Sequence, residues 1–78
     1  MIKLEMCRLR KATDINRKYA LFELVTDDTV LLDVGFSDEE IFQVCFHEKI
    51  ASLIIDWIKL QEWIKKGKEM AELDRTSG

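Results

Sequence analysis

The stretch SDEEIFQVCFHE, residues 37–48, decides the fold because it carries signals for two different structures. Ser37 followed three residues later by Glu40 fits a helix capping box. The residues after Glu40 include two phenylalanines, a valine and an isoleucine, and they alternate between two faces as a half-buried strand does. We predict a loop at residues 37–40 and a strand over residues 42–48, with a helix as the alternative.

Three other segments carry strand signals. Residues 2–9 alternate between apolar and mostly polar side chains, whereas residues 19–26 and 29–36 are rich in aromatic and β-branched residues. An Asp-Asp pair separates the last two segments, which we predict to form a hairpin. Residues 11–18 are polar and contain turn formers, so we predict a connection there.

Two registers are open for this hairpin. A two-residue turn puts Leu21, Glu23 and Val25 on one face with Val30, Leu32 and Val34. A three-residue loop puts Phe22 and Leu24 on that face instead. Both registers leave apolar residues on the second face of the sheet, which a single helix does not cover. The sequence therefore predicts that another part of the chain, or another molecule, covers that face.

A helical period begins at residue 57, and Asp56 is its predicted N-cap. We predict a helix over residues 57–73 and a frayed tail at 74–78, while residues 49–56 form either a fifth strand or a crossing segment. Gly67 on the apolar side predicts a close approach of the helix to the sheet. Seven residues fall within about 140° of arc at 100° per residue: Trp57, Leu60, Trp63, Ile64, Gly67, Met70 and Ala71.

Together these elements predict one small two-layer α+β domain over residues 1–78. Residues 1–56 supply an antiparallel meander sheet of four strands, or five, and one C-terminal amphipathic helix packs on one face. A chain of this length buries only about 60% of the surface that its unfolded form exposes. Because that leaves no room for a deep cleft, we expect a non-enzymatic protein without a cofactor.

Charge and apolar runs limit the cellular setting. Charges interrupt the N-terminal residues, and apolar runs such as Leu53–Ile55 are far short of a membrane span. We therefore expect a cytoplasmic protein with no membrane partner, whose two cysteines are thiols. The net charge differs along the chain. Residues 1–18 hold six basic and two acidic side chains, a net charge of +4, whereas residues 19–58 hold one basic and nine acidic side chains, a net charge of −8. Residues 59–78 hold five basic and four acidic side chains, a net charge of +1.

Three groups of residues are candidates for a metal site, an acidic binding surface and a nucleic-acid site. Asp33, Cys45 and His47 would share one face of the predicted sheet, as a weak candidate for a metal or thiol site, although ordinary packing also accounts for them. Acidic residues in two predicted turns could meet a basic partner protein: Asp27, Asp28, Asp38, Glu39 and Glu40. The basic segment from Arg8 to Tyr19 is the alternative for weak nucleic-acid binding, which the acidic pI of about 5.1 disfavours.

Self-association is the main functional expectation, since small domains without disulfides or metals commonly gain stability from it. We predict a homodimer formed through the second sheet face or through the edge of the sheet. A role in binding or inhibiting another protein would suit such a module. The predicted interface residues are Leu21, Val25, Leu31, Trp63 and Met70.

Overall fold

A computed structural model describes residues 4–77, the side chain of Glu5 excepted, and shows one four-stranded sheet and one long helix in that part of the chain. The strands lie in the order β1-β2-β3-β4, and each is antiparallel to the next. The predicted two-layer α+β meander is therefore confirmed. The elements are β1 Arg8–Ala12, β2 Leu21–Thr26, β3 Thr29–Phe36, β4 Phe42–Phe46 and α1 Trp57–Ser77.

The residues that resemble a helix start form the turn between β3 and β4. The Ser37 hydroxyl accepts a hydrogen bond from the Ile41 amide at 3.2 Å, and the Ser37 amide donates to the Ile41 carbonyl at 2.9 Å. The Glu40 amide donates to the Ser37 carbonyl, and Glu40 has a positive φ of 65°. The capping residues thus close a turn, which confirms the strand prediction, although β4 ends two residues early, at Phe46.

A β-bulge in β3 combines features of both predicted hairpin registers. The cross-strand pairs are Phe22–Val34, Leu24–Leu32 and Val25–Val30. Leu31 is the extra residue of the bulge, and its side chain joins the core. The turn at Asp27-Asp28 has two residues, yet Phe22 and Leu24 pair with Val34 and Leu32 as the three-residue loop required.

The first strand begins later than predicted. The sequence predicted a strand over residues 2–9, of which the first two lie outside the described residues. Leu4–Met6 form a 3-10 turn, closed by the Cys7 amide on the Leu4 carbonyl at 3.0 Å. The Leu4 carbonyl also accepts a hydrogen bond from Trp63 Nε1 at 2.9 Å. This tertiary contact holds the turn against α1, so alternation alone was misleading.

Residues 49–56 do not form a fifth strand, and the crossing-segment alternative is confirmed. Glu48–Ser52 form a 3-10 helix, and the chain then runs without regular structure to α1. The apolar side chains of this segment that pack against the core are half-buried: Ile50, Leu53 and Ile55.

Helix α1 begins at the predicted N-cap. Asp56 Oδ1 accepts hydrogen bonds from the amides of Ile58 and Lys59 at 2.9 and 3.2 Å. The helix continues to Ser77, four residues past its predicted end, so residues 74–77 are helical and not frayed. Trp57 departs from the predicted apolar stripe, because its side chain is 63% exposed.

The main core lies between α1 and the face of the sheet that α1 covers. Helix α1 packs mainly on β2 and β3. A Cβ added at Gly67 would lie 2.6 Å from Val34 Cγ2, which confirms the predicted close approach. The buried cluster consists of Leu4, Cys7, Phe22, Leu24, Leu31, Leu32, Val34, Phe36 and Ala71.

The other face, which we call the open face, has charged side chains in its middle and apolar side chains toward the β2–β3 turn, where Val25 pairs with Val30, so the predicted apolar residues are present on it. Strand register and alternation assign to it Arg8, Arg10, Ala12, Leu21, Glu23, Val25, Val30, Asp33, Gly35, Gln43 and Cys45. Arg10 forms a salt bridge with Glu23 at 2.8 Å, and His47 Nε2 lies 2.7 Å from Asp33 Oδ2. Val25 is 0% exposed, so the apolar end of the open face is covered within the single chain.

The contact between Gly67 and Val34 gives the first testable prediction. Substitution Gly67→Ala should lower the free energy of unfolding by about 1 kcal/mol or more, because overpacking against a stiff valine outweighs the helix propensity of alanine. The measurement is chemical denaturation. In a Val34→Ala background the same change should instead stabilise by about 1 kcal/mol, the propensity gain alone. Stabilisation by Gly67→Ala in the wild-type background would contradict the close packing.

Candidate functional site

The structure brings together the three residues proposed as a metal or thiol site. Asp33 lies directly across from Cys45 in the pairing of β3 with β4. His47 follows two residues later, and its Nε2 lies 2.7 Å from Asp33 Oδ2. One ligand atom from each residue lies within 4.8 Å of the other two. The juxtaposition predicted from hairpin pairing is therefore present.

The surroundings of these three residues are partly enclosed and carry several charges. The side chains of Asp33 and His47 are 16% and 36% exposed, and Cys45 is exposed. Glu23 is the cross-strand neighbour of Asp33, and Arg10 is the next residue along the same row. The row Arg10, Glu23, Asp33, Cys45 thus crosses all four strands on the open face. Among the described residues, no hydrogen bond joins the Cys45 thiol to His47.

The five predicted interface residues lie in different environments. Val25 and Leu31 are 0% and 1% exposed within the single chain, so they present no surface to a partner. The bulge in β3, which the sequence did not reveal, directs the Leu31 side chain into the core. Leu21, Trp63 and Met70 are half-buried, and the last two pack against the core.

The acidic residues do not form one surface. Asp27 and Asp28 are in the β2–β3 turn, whereas Asp38, Glu39 and Glu40 are in the β3–β4 turn at the opposite end of β3. Asp38 accepts a hydrogen bond from the Lys18 amide, and Glu40 accepts one from the Tyr19 hydroxyl. A basic partner would therefore meet two separate acidic turns.

The basic segment from Arg8 to Tyr19 is divided in a similar way. Arg10 is on the open face with Glu23, whereas Lys11 is on the α1 side, where it pairs with Asp74. Arg17 donates to the backbone carbonyls of Tyr19 and Phe36. The basic side chains of β1 lie on both faces of the sheet, and Arg10 and Lys11 are paired with acidic residues. The segment therefore does not present a single row of side chains for binding phosphates.

Arg75 is a structural residue that the sequence analysis missed, because its partners are distant in sequence. Its guanidinium lies 4.1 Å from the centre of the Phe36 ring, and it pairs with Glu72 and Glu40. The hydrogen bond to Glu72 raises the pKa of Arg75, so the group stays charged. Its Nε is buried without a hydrogen-bond partner in the described part of the chain. Arg75 links the end of α1 to the β3–β4 turn.

The free edge of β4 is the most distinctive surface feature. No residue from Phe42 to Phe46 carries a charge, and Phe46 is 55% exposed. β4 is the last strand of the sheet, and α1 packs mainly on β2 and β3, so this edge is not where the helix rests. Such an edge is a template for pairing with another strand. In the sequence, this edge is indicated by a predicted strand whose residues 42–46 include no charged side chain.

Comparisons with protein-family models, with curated proteins and with solved structures found no match. Over residues 4–77, no helix has both the length and the apolar character needed to cross a membrane. Inferences about function therefore depend on the surfaces of this chain alone.

Proposed function

We propose that this protein is a non-enzymatic interaction domain that forms a homodimer by pairing the free edge of β4 with β4 of a second copy. The observation that carries the proposal is the contrast between the two edges of the sheet. β1, at one edge, carries Arg8, Arg10 and Lys11, and charged side chains discourage strand addition. β4, at the other edge, carries no charge.

The backbone of β4 supports this choice. The His47 amide donates to the Leu31 carbonyl, and the Ser37 amide donates to the Ile41 carbonyl, so residues 41 and 47 pair inward with β3. In an antiparallel ladder, inward and outward residues alternate. Gln43 and Cys45 therefore also point their amide and carbonyl groups toward β3, while Phe42, Val44 and Phe46 direct theirs to the free edge.

The same three residues make the edge complementary to itself. A two-fold axis at Val44 pairs Val44 with its copy and pairs Phe42 with Phe46 of the second copy. All three positions are then hydrogen-bonded pairs, which gives six hydrogen bonds between the two strands. Their side chains lie on the side of the sheet that α1 covers, so the pairing also brings apolar groups against apolar groups. The product is an eight-stranded sheet with both helices in one layer.

The interaction should be modest in strength. Each hydrogen bond contributes about 0.5–1.5 kcal/mol net, whereas association costs about 4–15 kcal/mol. Burial of the exposed Phe46 ring adds to the favourable side. We therefore expect dissociation on the order of micromolar concentration or weaker, which would let the chain exchange a second copy for another partner strand.

Substitution Val44→Pro tests the edge. Proline removes only an amide that points outward, and Gln43 before it is already extended, so the monomer should keep its fold. By light scattering, the wild type should rise from 9.2 kDa toward twice that mass with concentration, while Val44→Pro stays at 9.2 kDa.

Val44→Ala is the matched control, because it removes the same side chain but keeps the amide. It should still dimerise, and circular dichroism should show that both variants are folded. A wild type that is monomeric at every concentration, or a folded Val44→Pro variant that still dimerises, would refute pairing through this edge.

The register itself is tested by cross-linking. With the two-fold axis at Val44, residue 43 lies opposite Cys45 of the second copy in a close, non-hydrogen-bonded pair, about 4.5 Å apart at Cα. Gln43→Cys should therefore form a disulfide-linked dimer rapidly under mild oxidation in the presence of a chelator. Wild type and the double variant Gln43→Cys with Cys45→Ser should cross-link slowly. Equally fast cross-linking of wild type would place the two-fold axis at Cys45 instead.

A further inference from the structure

The open face beside β4 carries a second feature that strand pairing does not use. Side chains of Asp33, Cys45 and His47 converge there, with one ligand atom from each within 4.8 Å of the others. Carboxylate, thiol and imidazole are three different donor types that proteins use for zinc. The pairing of β3 with β4 fixes the first two directly across from each other, and His47 lies on the same side two residues later.

The distances suit a metal ion after small side-chain rotations. Zinc lies about 2.0–2.3 Å from its ligands, so two ligand atoms on a tetrahedral ion are about 3.3–3.8 Å apart. The spread of up to 4.8 Å would contract, whereas the 2.7 Å contact between Asp33 Oδ2 and His47 Nε2 would lengthen as a hydrogen bond is exchanged for two metal bonds. The β3–β4 pairing fixes the backbone of Asp33 and Cys45, and the hydrogen bond from the His47 amide to the Leu31 carbonyl fixes that of His47, so side-chain rotations bring the three ligand atoms together.

The electrostatics of the open face independently favour a cation at this place. Glu23 and Asp33 are direct cross-strand neighbours, and like charges in that arrangement repel. Arg10 pairs with Glu23 at 2.8 Å, whereas the Asp33 side chain, 16% exposed, has only His47 as an ion-pair partner within residues 4–77. A divalent cation on Asp33 would offset the repulsion between the two carboxylates.

We propose that Asp33, Cys45 and His47 form a zinc site that binds one ion per chain. The mixed sulfur, nitrogen and oxygen set favours zinc over magnesium or calcium, which prefer oxygen ligands alone. Three protein ligands leave a fourth position for water or an added ligand.

This site uses different chemical groups from the dimer edge, although Cys45 would be next to Gln43 of the second copy. Zinc would use side chains of the open face, whereas strand pairing uses the outward backbone groups of Phe42, Val44 and Phe46. The Val44→Pro variant should therefore bind zinc as the wild type does, and metal-free protein should still dimerise. Failure of one proposal leaves the other standing.

The test is a zinc titration against a chromophoric chelator on reduced protein, with cobalt(II) as a spectroscopic probe. Wild type should bind one equivalent of zinc and show a thiolate-to-cobalt charge-transfer band. Cys45→Ser should lose the band, and Asp33→Asn and His47→Gln should bind at least about tenfold more weakly. Gln43→Ala, on the same face but not a ligand, should behave as the wild type.

Circular dichroism of each metal-free variant separates loss of a ligand from loss of the fold. Less than a tenth of an equivalent of zinc on the wild type would overturn the proposal. So would a Cys45→Ser variant that binds as tightly as the wild type, since the ion would then be held elsewhere on the chain.

Discussion

The register of β3 against β4 is the constraint on which both proposed surfaces depend. Hydrogen bonds from the His47 amide to Leu31 and from the Ser37 amide to Ile41 fix which residues of β4 point inward. In this register, the backbone amide and carbonyl groups of Phe42, Val44 and Phe46 point to the free edge. The register also sets Asp33 across from Cys45 on the open face. A slip by one residue would exchange the two faces and abolish both arrangements.

Packing against α1 holds this register in place. Gly67 lets the helix approach Val34, whose neighbour in β4 is Val44. Nearer the β3–β4 turn, Arg75 stacks on Phe36 and pairs with Glu40, so the last turn of α1 is tied to the loop that leads into β4. The first contact acts at the middle of the β3–β4 pair and the second at its end beside the turn. Helix α1 therefore supports β3, the strand that pairs with the edge proposed for dimerisation.

Sequence patterns predicted the strands and the helix better than the irregular features, namely the bulge in β3 and the turn before β1. Alternation identified β4 against a capping signal, and Asp56 and Gly67 correctly predicted the start and close packing of α1. The cross-strand meeting of Asp33 with Cys45 followed from hairpin pairing alone. The bulge at Leu31 was not predictable, because nothing local marks an extra residue in β3. The same holds for the early turn at Leu4, which Trp63 stabilises from 59 positions away.

Amide hydrogen exchange along β4, measured by NMR across a concentration series, distinguishes a free edge from a paired one. The amides of Gln43 and Cys45, which face β3, should be protected at every concentration. Those of Phe42, Val44 and Phe46 should exchange quickly in dilute protein and slow together as the dimer forms. Outward amides that remain fast at the highest concentration would contradict pairing through β4, and equal protection of all five in dilute protein would contradict the free edge itself.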